Sequence, residues 1–197
     1  MSEMSDAVAV PEAGLRTSIR IQDQWWVLVA RVILVGAIES QERWFLNFVH
    51  VFAGILWTGT DIFMGFVLGP IMKRLELPAR RALITRLMPK MIFYMPTVAI
   101  VTGTSGWYLV EQLGYLGVPF PFRWWPIAAL ALVAVMTVQG LGILLPTNLR
   151  VYFEIGKDQP DGAKIQGWMQ TYVRVVALQV LMQVATILVM ARFGTGL

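Results

Sequence analysis

The sequence predicts an all-α protein, a polytopic membrane helix bundle, and three observations carry that class. Hydrophobic residues make up 57% of the 197-residue chain, charged residues only 14%, and the mean hydropathy is +0.64, far more apolar than an ordinary soluble domain. Four stretches, at about 44–70, 91–110, 124–146 and 171–191, are long and apolar enough for helices to cross a hydrocarbon core of roughly 30 Å. Lys and Arg gather beside these stretches, where they set orientation and attract anionic lipid. The net charge of +4 therefore points to a membrane surface and not to nucleic acid. Cysteine is absent, which excludes disulfides, zinc knuckles, thiolate haem ligands and covalent c-type haem attachment.

In chain order, residues 1–14 lack the basic and apolar regions of a secretory leader, and residues 1–24 are expected to form a disordered tail. Residues 25–38 are apolar nearly all round but carry Arg31. An arginine at the bilayer centre costs roughly 2.5–3.5 kcal/mol on insertion scales. This short membrane helix is therefore left nearly open between an interfacial and a spanning position, with a slight lean to the interface. The first span, 44–70, contains Gly65 and Gly69 in a GxxxG pattern that allows close helix approach, and Pro70 is expected to end it. The following basic stretch holds Lys73, Arg74, Arg80, Arg81, Arg86 and Lys90 against one acid, Glu76, and reads as a cytoplasmic loop.

Pro96 and the TGTSG run from Thr102 to Gly106 are expected to loosen or kink the second span, 91–110. Trp124 and Trp125 open the third at an interface, and Gln139, Gly140 and Gly142 give it a polar, small-residue stripe. A polar loop is expected over 147–170. In the fourth span, 171–191, Gln179 and Gln183 stand four apart and share a face that points into the bundle. The longer loops hold most Lys and Arg, so they should be cytoplasmic and the C-terminus exoplasmic.

Chemistry centres on His50, the only histidine, six residues past Trp44 and so roughly 9 Å into the exoplasmic leaflet. Gly54, Trp57 and Asp61 follow it on one helical stripe. A glycine one turn away leaves room for a flat macrocycle, Trp57 could wall it, and neutral imidazole is the usual axial ligand of haem b and also binds copper. A histidine hydrogen-bonded to a neighbouring helix is the plainer alternative. One histidine cannot supply both axial ligands, so the second would be Met190, water, or His50 of a second copy. Asp61 is expected to pair with Arg86 or Lys90, with proton relay or cation binding as alternatives. Met88, Met91 and Met95 recur at helical spacing, which favours helix packing over Cu(I) binding. Motifs for hydrolysis or phosphoryl transfer (HExxH, P-loop, GxSxG) are absent.

The stretch HVFAGILWTGTDIFMGFVLGP and the later MPKMIFYMPTVAIVTGTSGWYL resemble the CopD-like family of small bacterial integral membrane proteins. More distantly they are similar to the membrane part of the PuuD-type urate oxidases. The shared element is a histidine early in a span followed by a WxG-type element, here His50 and Trp57-Thr58-Gly59. The resemblance implies a helical bundle in the bacterial cytoplasmic (inner) membrane, with haem b binding or copper handling as its chemistry and His50 as the ligand. The chain lacks the cytochrome c extension of the urate oxidase relatives, so urate oxidation itself is not expected. The leading expectation is a redox or electron-transfer protein holding haem b through His50, as a homodimer or a subunit of a membrane complex. Copper transport and a cofactor-free assembly partner are the alternatives.

Overall fold

A computed structural model describes residues 21–157 and 159–195; most of the expected N-terminal tail lies outside them. The described chain is helical, with no strand among the described residues. A 3-10 turn, Ile21–Gln24, leads into α1, Trp25–Glu39. Then come α2, Arg43–Ile62, a π-helical turn at Phe63–Leu68, and α3, Gly69–Arg74. The long helix α4 covers Leu77–Gln112. Next, α5, Trp124–Gln139, passes through a second π-helical turn, Gly140–Leu144, into α6, Leu145–Ile155. The last helix, α7, spans Gly162–Gly194. Among the described residues, four rods are long and apolar enough to cross a membrane: Arg43–Met72, Pro78–Gln112, Trp124–Ile155 and Gly162–Phe193. Large apolar side chains such as Phe48, Phe66, Val138 and Leu188 cover their outer faces, as contact with lipid requires.

Each rod outruns the span expected from the sequence. Pro70 does not end the first rod, because it falls in the first turn of α3, just after the π-helical turn. There the ladder is already shifted by one residue, so a missing N–H breaks no regular bond. Pro146 follows the second π-helical turn in the same way. The expected basic loop after Pro70 is mostly helix, since α4 begins at Leu77 and its first turns carry Arg80, Arg81 and Arg86. Likewise the expected loop over 147–170 shrinks to the connection between Ile155 and Gly162. At the other end α4 stops at Gly114, whose φ of 69° suits glycine.

Helices α2 and α4 are antiparallel and closely packed. Thr60 Oγ1 donates to the Tyr94 hydroxyl at 3.2 Å near one end, and His50 meets Thr102 near the other. The element left open by the sequence, α1, stands upright against both. Its Trp26 ring lies 6.0 Å from that of Tyr94, while Leu34 and Ala37 join Leu46, Val49, Val101 and Leu109 in one apolar core. Those contacts run from Tyr94 to Leu109 along α4, about 22 Å, so α1 does not lie flat across the end of the bundle. Arg31 is on its exposed side. Gly65 has nothing of this chain near its missing Cβ, so the GxxxG pattern makes no close approach within the described residues.

Candidate functional site

Leu46, Val49, Ala53 and Trp57 are the buried apolar face of α2, and His50 sits half-buried at its edge towards α4. Its Nδ1 is 2.9 Å from the Thr102 carbonyl oxygen. A carbonyl only accepts, so Nδ1 carries the hydrogen and donates it. Ser105 Oγ is 3.4 Å from the same nitrogen and gives its own hydrogen to the Val101 carbonyl at 2.6 Å, so it too faces His50 as an acceptor. Two acceptors on one side fix the neutral tautomer and leave the Nε2 lone pair free. Gly106 completes the arrangement: a Cβ there would lie 2.8 Å from Cε1 of the imidazole. Only glycine lets the ring rest against the α4 backbone.

The TGTSG run stays helical. It continues α4 and forms the bed of the only histidine. The relation was accessible from an antiparallel pairing, because His50 is seven residues from the start of α2 and Gly106 six from the end of α4. Equal depth brings them together.

The other stripe residues face different neighbours. The missing Cβ of Gly54 points at Thr102 Cγ2, 3.6 Å away, so α4 fills the room expected there for a macrocycle. Trp57 packs with Val98 and Met136 and lines a cleft between α4 and α5; it does not wall a pocket at His50. Met190 is half-buried on α7. Gln183 opposite Asp61 sets the α2/α7 register, and seven further residues bring Met190 about 10 Å towards the His50 end, roughly level with Gly54. Met91 and Met95 line the cleft, seven or more residues along α4 from Thr102 and so at least about 10 Å from it. They do not share a site with His50. Among the described residues, no group of three or more His, Cys, Asp or Glu side chains could hold a metal. Nδ1 takes the hydrogen bonds of His50, so Nε2 is the ring nitrogen that a metal could use, while Gly54 and Trp57 do not form a macrocycle's bed.

Asp61 departs from expectation. It is 2% exposed, and among the described residues no ion pair includes it; Arg86 and Lys90 are exposed. Two glutamines of α7 hold it instead. Gln183 Nε2 donates to Oδ2 at 2.9 Å and Gln179 Nε2 at 3.5 Å. Both glutamines point into the bundle, as their spacing predicts, with exposures of 1% and 3% for Gln179 and Gln183. Each commits its amide nitrogen, so each leaves a buried carbonyl oxygen unpartnered. Both π-helical turns border this region, one directly after Asp61 and the other along the cleft; such turns are frequent where side chains are aimed for function.

No family model matches the chain, and neither a curated protein nor a solved structure matches it.

Proposed function

We propose that this integral membrane protein is a redox or electron-transfer protein that binds haem b through His50. The observation that supports it is the committed Nδ1–H, which orients the ring on the Thr102 carbonyl and leaves Nε2 as a donor. Histidines that ligate metals are held in this way by their other ring nitrogen. Haem, when bound, supplies one-electron chemistry at iron. The chain's own part is positional: Gly106 gives the imidazole its place on α4, and Ser105 backs the same tautomer. A second axial group would come from Met190, from water, or from His50 of a second copy, and a homodimer supplies the last.

The basic residues of α4's first turns and the Ile155–Gly162 connection belong on the cytoplasmic side of a bacterial inner membrane by charge. By the same charge rule His50 belongs to the exoplasmic leaflet and the C-terminus to the outside. Copper handling has less support, because Met91 and Met95 face the cleft and not the imidazole. An absorption spectrum of protein purified after haem supplementation tests the proposal. A Soret band and a reduced-minus-oxidised α-band, both lost in His50→Ala, are expected. Wild-type protein lacking both bands overturns it, and stoichiometric copper lost in His50→Ala would favour the copper alternative.

A further inference from the structure

A second site lies on the opposite side of α4 from His50. Helices α4 and α5 touch little and enclose a cleft of about 520 Å³, within the range of small-molecule sites. Its walls are apolar and partly aromatic, with Trp57, Met95, Met136 and Trp107 among them. Ile100, Trp107 and Leu141 line it and are also exposed on the outer surface, so the cleft opens sideways to lipid. Its inner end is polar: Asn148, Tyr172 and Gln179.

Those three side chains are not satisfied among themselves. Gln179 turns its amide nitrogen to Asp61, which leaves Oε1 buried and unpartnered. Asn148, 6% exposed, leaves Oδ1 buried and unpartnered. The Tyr172 hydroxyl carries a hydrogen that it can donate into the cleft. Burying an acceptor without a partner costs about 1–3 kcal/mol, and two of them line one lipid-accessible cleft. A ligand that enters this cleft passes apolar walls and meets two acceptors that suit hydrogen-bond donors.

We propose that the cleft binds a quinol: a flat ring carrying hydroxyl groups and an isoprenoid tail. The flat ring suits Trp57 and the methionine thioethers. Ring hydroxyls donate to Asn148 Oδ1 or Gln179 Oε1 and accept from Tyr172. The tail leaves between α4 and α5 past Ile100 and Leu141. The oxidised quinone has only acceptors and cannot satisfy Asn148 Oδ1 or Gln179 Oε1, so the site prefers the reduced form. This inference is independent of what His50 binds.

The test is calorimetric titration of the full chain in maltoside micelles under argon with decylubiquinol, decylubiquinone and decanol. Saturable decylubiquinol binding is expected, about tenfold tighter than decylubiquinone, the worth of one good hydrogen bond. Asn148→Leu and Gln179→Leu should each weaken quinol binding about tenfold. Ala134→Phe, on the exposed side of the cleft lining, should abolish it without touching the buried network and so covers the case in which the buried variants fail to fold. Wild-type protein that shows no saturable quinol binding overturns the proposal. So does quinone binding as tight as quinol, decanol binding as tight as quinol (a site for any alkyl chain), or unaltered binding in Ala134→Phe.

Discussion

Gln183 donates its side-chain amide to the Asp61 carboxylate across the middle of the bundle, 2.9 Å from Nε2 to Oδ2, and both residues are almost fully buried. This bond ties α7 to α2, two helices far apart in sequence, at one fixed register. Removing the carboxylate strands two buried amide donors, Gln179 and Gln183, at about 1–3 kcal/mol each. Asp61→Leu should therefore lower the thermal midpoint in detergent clearly, followed by circular dichroism. Asp61→Asn keeps an acceptor oxygen and should lose about half as much. Equal losses in the two variants would mean that the charge, and not the hydrogen bond, is what the glutamines serve.

The bundle, the four rods and the inward glutamines were legible in composition and periodicity, because lipid imposes both on the sequence. Rod ends were not, since the basic stretch from Lys73 to Lys90 looks like a loop by charge alone. Most of its residues are helical, broken only at Leu75 and Glu76, with Arg81 and Arg86 on the first turns of α4. Pro70 and Pro146 misled for a local reason: each sits just behind a π-helical turn that absorbs its missing N–H. His50 was legible as an anomaly of cost. Its neighbours were not, because Gly54 is near in sequence whereas Gly106 is near only once the hairpin's register is known. Asp61 was paired with a cation because it lies only a turn or two from the expected cytoplasmic interface, and two neutral amides four residues apart on α7 hold it instead.

The two glycines around His50 should respond oppositely to alanine. At Gly106 a methyl group would lie 2.8 Å from the imidazole, so the ring must leave the α4 backbone or the helices must part, at a cost of about 1–3 kcal/mol. At Gly54 the methyl would meet Thr102 Cγ2 at 3.6 Å, an ordinary contact, and alanine's better helix propensity should offset any loss. Nitrogen-15 spectra of the imidazole check the tautomer. The wild type and Gly54→Ala should both show hydrogen on Nδ1, and Gly106→Ala should show a mixed or reversed pattern.

Arg81 joins the start of α4 to the end of α6. Its Nη2 lies 3.1 Å from the carbonyl oxygens of both Ile155 and Lys157, satisfying carbonyls that a helix terminus leaves open. Hydrogen bonds from a charged donor are worth about 1.5–3 kcal/mol. Arg81→Ala should cost within that range and make the Ile155–Gly162 connection more sensitive to protease. Arg81→Lys keeps the charge but shortens the reach, and should recover only part of the loss. Full recovery would show that the helix-end charge matters and the two bonds do not.

Asp161 begins α7 as its N-cap, with Oδ1 accepting from the backbone N–H groups of Ala163 and Lys164 at 3.0 and 3.1 Å. The bond from the Lys164 backbone, then the Lys164 ammonium at 3.2 Å, hold its carboxyl below the ordinary aspartate value. A carboxyl held down in the folded state stabilises the fold fully above its unfolded pKa, about 3.9. That contribution is lost as pH falls through the lower, folded value. Asp161→Ala should lower the thermal midpoint by roughly 2–4 °C at neutral pH, the scale of a lost cap in a chain of this size. Asp161→Asn keeps the cap and loses only the charge, so its deficit should be smaller. That deficit should hold steady from neutral pH down to about pH 5 and shrink below about pH 4. Midpoints measured across this range decide it: a deficit that grows on acidification would reverse the sign and place the titrating group elsewhere.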